Sequence, residues 1–174
     1  MASARRSLLL MDANVLIDFC DSDRTVIPLI SKHVGRVHVP MPILLEEVEQ
    51  LKDFDWTELG IVGVEPSLDL VTQAAQRRAG LSFHDHLCLL LARDNGWTCV
   101  TNDGRLRREC GAEDVAILWG LEVVALLVES GGLAIAAAEA VGRAIRAANP
   151  RFITAQVLER FLKRIAATGT RSRR

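Results

Sequence analysis

Apolar and polar residues along this chain fall into blocks whose period switches between that of a strand and that of a helix. Residues 7–11 form a short, nearly continuous apolar run ending at Met11, the pattern of a strand buried on both faces. Residues 24–33 mix apolar and polar positions in a way that fits a helix. Residues 37–39 read as a second strand, after which Pro40 and Pro42 mark a turn and the start of a helix. In that helix Ile43, Leu44, Val48 and Leu51 share one face at 3.6-residue spacing. Residues 60–64 suggest a short strand. Leu68, Val71, Ala75 and Ala79 line one side of the following helix, which Gly80 is expected to end.

Ser82-Phe83-His84-Asp85 has the S-x-x-D form of a helix start, and Leu87, Leu90 and Leu91 continue it as an apolar stripe that Gly96 closes. A strand over 97–101, a short helix over 103–110 and a last strand over 115–119 follow. From Leu121 onward the pattern is helical, with breaks at Gly131-Gly132 and Asn149-Pro150. Strands alternating with helices predict an α/β fold, a mostly parallel sheet of four to five strands covered on both faces. The division expected is a core over residues 1–120 and a helical extension over 121–174 packed on it.

Composition supports a folded chain. With 174 residues, 49% of them apolar and 25% charged, there is enough for one real core. The longest apolar stretch, 115–128, is interrupted by Glu122 and falls short of the roughly 20 residues that span a bilayer. The opening apolar run ends at Asp12, too short for a secretory signal. Cys20, Cys88, Cys99 and Cys110 form no CxxC and no metal-ligand spacing with histidine, so free thiols in a reducing cytoplasm are expected. The net charge of −1 conceals a gradient: residues 143–174 carry nine Lys or Arg against Glu159 alone. That basic end is either a solvated helix face with a frayed tail or a surface for an anionic partner such as nucleic acid.

The candidate chemistry lies in the acids. In a parallel sheet, ligands gather at the C-terminal ends of the strands, where strand order reverses. Asp12 follows the first strand and Asp103 follows the strand over 97–100, so the two meet at one edge if those strands are neighbours. Asp85 lies in the first turn of the helix over 83–95, and Glu46 and Glu47 lie about one turn into the helix after Pro42, positions where free N–H groups favour negative charge. Carboxylates converging in one pocket repel unless divalent cations neutralise them, and hard oxygen donors select Mg²⁺ or Mn²⁺. Two such ions activate water for in-line phosphodiester displacement. Each acid also has an ordinary role: Asp12 and Asp103 as turn formers, Asp85 as a capping-box carboxylate, Glu46 and Glu47 as solvated helix residues.

Leu8-Leu9-Leu10-Met11-Asp12-Ala13-Asn14-Val15-Leu16-Ile17-Asp18, the segment around Ser82-Phe83-His84-Asp85, and Thr101-Asn102-Asp103 resemble, in order and spacing, three motifs of the PIN-domain ribonucleases, including the VapC-like toxins. The resemblance covers roughly residues 7–120. It implies a PIN-like three-layer α/β/α core and a Mg²⁺ or Mn²⁺ site built from Asp12, an acid of the second motif, Asp85 and Asp103. Glu47, preceding Val48, fits the second motif better than Glu46. Asn14, Thr101 and Asn102 match or neighbour positions of supporting polar residues. The implied reaction is hydrolysis of RNA to 3′-hydroxyl and 5′-phosphate ends. The implied partners are a small antitoxin and a second copy of the chain, and the alternative is a catalytically silent PIN-like module that binds RNA or protein.

Arg105, Arg107 and Arg108 are either contacts for RNA phosphates or the wet face of a short helix. His84 and His86 are expected in surface or cap roles. Trp56, Trp97 and Trp119 are expected to pack in or near the core. The chain has no G-x-x-x-x-G-K-[ST] or G-x-G-x-x-G loop and no G-x-S-x-G elbow, and Asn14 stands where a haloacid-dehalogenase-type phosphatase needs a second Asp.

Overall fold

The computed structural model describes residues 7–76 and 80–171. Five strands, β1 (Ser7–Met11), β2 (Gly35–Pro40), β3 (Ile61–Val64), β4 (Thr98–Val100) and β5 (Ile117–Leu118), form one sheet in the order β3-β2-β1-β4-β5. Every pairing is parallel. This is the α/β architecture that the alternating pattern predicts. Leu9, Leu10 and Met11 are fully buried, as the central position of β1 requires. Val62 and Ile117 are partly exposed on the two edge strands.

The connections place the helices. From β1 the chain moves outward through α1 (Ala13–Asp23) and α2 (Val26–His33) to β2, then through α3 (Met41–Glu46) and a 3₁₀ turn (Glu49–Leu51) to β3. It then crosses back under the sheet through α4 (Leu68–Ala74) and α5 (Phe83–Asn95) to β4, and through α6 (Gly104–Ala112) to β5. Parallel crossovers are right-handed, so opposite directions of travel put α1–α3 on one face and α4–α6 on the other. The reversal falls between β1 and β4.

Helices α7 (Gly120–Glu129), α8 (Ile135–Ala148) and α9 (Ala155–Arg171) pack on one another, with α8 against α1 and α7 against α2. Helix α8 lies close to α9 at Gly142, where a Cβ would stand 2.5 Å from Phe161 Cε1. Asn149 Nδ2 ties the end of α8 to Asp18 Oδ1 of α1 at 3.1 Å.

Several local expectations change. The pattern reading assigns no element to α1. Its aspartates disfavour a helix, yet Val15, Leu16 and Phe19 bury one face completely. The helix after Pro42 does not reach Leu51 as one piece: α3 stops at Glu46, and Val48 at φ −101°, ψ 77° separates it from the 3₁₀ turn. Ile43, Leu44, Val48 and Leu51 are all buried nonetheless. Gly80 does not end α4, which stops at Ala74, and Leu68 is 80% exposed, so Ala74 rather than Leu68 faces the core. Ala79 lies outside the described residues. Helix α5 matches its expected bounds, with a complete Ser82/Asp85 capping box and Gly96 at φ +65°.

Candidate active site

The β1–β4 pairing brings Met11 beside Val100, and the Asp12 N–H continues the ladder by donating to Val100 O at 3.0 Å. Asp12 and Thr101 therefore leave adjacent strands at the same edge, at the point where strand order reverses. Thr101 Oγ1 donates to Asp12 Oδ2 at 2.8 Å. A pocket of about 340 Å³ opens there, lined by Asp12, Asn14, Glu47, Ser82, Asp85 and Asp103 with Ala13 and Ile17. The four acids expected from the sequence thus reach one pocket from four separate segments.

Asp12 is 2% exposed. Burial, reinforced by the charge of Asp85 and less strongly by Glu47, pushes its carboxyl up to about 7 against the pull of the Thr101 and Ala13 hydrogen bonds. Asp85 and Asp103 are helix caps as well as pocket residues. Asp85 Oδ2 accepts from Ser82 N–H at 3.1 Å and from Ser82 Oγ at 2.8 Å. Asp103 Oδ1 accepts from the N–H groups of Arg105 and Leu106 at 2.7 and 3.0 Å. These bonds engage one oxygen of each carboxylate, so the ordinary role and a place in the pocket coexist.

Glu46 and Glu47 do not sit in an early helical turn. They end α3, where the helix dipole opposes negative charge. The compensation comes from His84, whose Nε2 lies 3.0 Å from Glu46 Oε2 and whose Nδ1 lies 3.0 Å from Glu47 Oε1. Burial pushes the Glu47 carboxyl up, His84 draws it down, and Asp85 and Glu46 push it up again. Glu47, not Glu46, lines the pocket.

The structure revises other residues. Asn102 is buried away from the pocket: its Nδ2 donates to Asp18 Oδ2 at 3.1 Å, and its Oδ1 accepts from Gly120 N–H at 3.0 Å. It braces the strand ends rather than supporting the acids directly. His86 is not a surface residue; it is 6% exposed, with Nδ1 3.2 Å from the carbonyl oxygens of Ala74 and Gln76. His84 is a partly buried ion-pair partner instead of a surface or cap residue. Arg105 reaches Gly80 O at 3.4 Å, Arg108 lies 3.7 Å from Glu109, and the Arg107 guanidinium stands 3.2 Å from the centre of the Trp119 ring. No local pattern marks the double pairing of His84, because Glu46 lies 38 residues away and Glu47 one residue nearer.

An all-carboxylate donor set suits a hard divalent cation. As the side chains stand, no group of three or more His, Cys, Asp or Glu among the described residues is placed to hold a metal ion. All four cysteines are free, and among the described residues no helix is long and apolar enough to cross a membrane. No family model, curated protein or solved structure matches the chain.

Proposed function

We propose that this chain is a divalent-metal-dependent endoribonuclease of the PIN type, hydrolysing RNA phosphodiester bonds. The observation that carries the reading is the convergence of Asp12, Glu47, Asp85 and Asp103 on one pocket at the β1/β4 reversal. Asp12 there is desolvated beside like charges, a cost that a cation removes. Asp12, Glu47, Asp85 and Asp103 would hold Mg²⁺ or Mn²⁺, which when bound supplies charge neutralisation and activation of water. Thr101 fixes the Asp12 carboxylate, and the caps fix Asp85 and Asp103. Asn14, on the pocket wall, is available to orient substrate.

Under this reading the partners are an RNA substrate, a second copy of the chain and a small antitoxin that covers the acidic pocket. The resemblance to VapC-like toxins supports the last two, and the free thiols suit a cytoplasmic setting. A second reading, a silent PIN-like module binding RNA or protein, is favoured by the engagement of Asp85 and Asp103 in caps and by the lack of a preformed three-ligand group among the described residues.

Incubation of structured RNAs with Mg²⁺, Mn²⁺ or chelator separates the two. Metal-dependent cleavage that Asp12→Asn and Asp103→Asn abolish supports the nuclease. Wild-type protein that leaves RNA intact with either metal supports the silent module.

A further inference from the structure

Helices α7 and α9 enclose a second cavity of about 320 Å³, lined by Trp119, Leu121, Val157, Arg160, Phe161 and Arg164 together with Glu122 and Ala125. Its position relative to the acidic pocket follows from the sheet. The Thr101 N–H donates to Leu118 O at 3.0 Å, so Trp119 leaves β5 beside Thr101, one strand spacing (roughly 4.8 Å) along the same edge. Arg107 links the two places. Its N–H bonds Asp103 O at 3.0 Å, one helical turn from the pocket acid, and its guanidinium stacks 3.2 Å from the Trp119 ring centre.

The charges of this groove favour an anion. Arg164 is held by Glu129 through contacts of 2.7 and 3.0 Å, and Glu122 Oε2 accepts the Trp119 N–H at 2.8 Å. Arg160 is exposed and makes no ion pair among the described residues, and Arg107 Nε is buried with no hydrogen-bond partner among them. Among the residues that line the groove, Arg160 and Arg164 against Glu122 leave one net positive charge. Its walls are otherwise apolar, with one half-buried indole. Stacked aromatic and guanidinium faces beside free cations are the chemistry that takes unstacked bases and phosphates of a single strand.

We propose that this groove binds the nucleotides of single-stranded RNA next to the phosphodiester held at the acidic pocket, with Arg160 contacting phosphate and the Arg107–Trp119 stack meeting a base. The inference rests on the ribonuclease reading and names where its substrate runs.

The test is fluorescence anisotropy of a labelled RNA octamer in chelator, where nothing is cut, as a function of salt, alongside cleavage in Mn²⁺. Arg160→Gln should weaken binding several-fold and reduce the magnitude of the log K against log salt slope by about 0.7, one phosphate's share for a single strand. Arg107→Lys, which keeps the charge and loses the planar stack, should weaken binding several-fold at unchanged slope. If Arg160→Gln binds with wild-type affinity and slope, the groove assignment is overturned, and persisting cleavage leaves the ribonuclease reading standing. Wild-type protein that neither binds nor cuts RNA overturns both. An acidic amphipathic peptide that binds in place of RNA, with the same dependence on Arg160, assigns the groove to a protein partner and overturns the proposal.

Discussion

Thr101 Oγ1 donates to Asp12 Oδ2 at 2.8 Å and accepts the Asp103 N–H at 3.1 Å, so one hydroxyl joins the first and last acids of the pocket. Thr101 itself is fully buried. Its contribution is best seen where Asp12 is ionised, because a bond to a charged group is worth more than a neutral one. Thr101→Val keeps the shape and deletes the hydroxyl. Urea denaturation at pH 8 should show a loss of about 1.5–3 kcal/mol. An unchanged midpoint would show that Asp12 draws its support from elsewhere.

The acidity of Asp12 has a definite sign in stability. Its folded-state carboxyl is raised from 3.8 to about 7, chiefly by burial and then by Asp85. Between those values the folded chain keeps a proton that the unfolded chain has released. This group therefore supports the fold most below pH 4, and its contribution declines as pH rises to 7, on the order of 4 kcal/mol in all. In chelator, Asp12→Asn should gain stability over wild type at pH 8 relative to pH 5. A difference between the two proteins that stays constant across that interval would contradict the assignment.

Cation binding should reverse the same penalty. At 100 times its dissociation constant, Mn²⁺ should stabilise the wild type by about 2.7 kcal/mol, raising the melting temperature by roughly 5–10 °C. Asp12→Asn and Asp103→Asn should show little or no shift. A flat wild-type melting curve series at millimolar Mn²⁺ would count against metal binding in the pocket.

The C-terminal helices are tied to the core through a buried acid. Asp18 is 7% exposed and shared between Asn102 and Asn149, whose hydrogen bonds lower a carboxyl that burial raises. Asn149→Ala leaves Asp18 with Asn102 alone. A destabilisation of about 1–3 kcal/mol is expected in chemical denaturation at neutral pH. A loss below a few tenths of a kcal/mol would mean that water replaces the amide without cost.

Much of the fold was legible because its signals are local. The double-sided apolar run of β1, the capping box of α5 and Gly96 at its end depend on residues within a few positions of one another. The break after α3 is not legible in the pattern, because Ile43, Leu44, Val48 and Leu51 are buried whether or not the backbone between them stays helical. The place of Asn102 beside Asp103 is visible in sequence, whereas the direction of its side chain depends on Asp18 and Gly120.

By itself the sequence determined an α/β chain with acids at the ends of particular strands and helices, since hydrophobic period and cap chemistry are written in neighbouring residues. Only the tertiary structure decided that β1 and β4 are partners, that Glu47 rather than Glu46 lines the pocket, that His84 bridges both, and that Asn149 reaches Asp18 across 131 residues. Those outcomes depend on strand order and on the packing that fixes side-chain direction, contacts between residues far apart in the chain that no local pattern encodes.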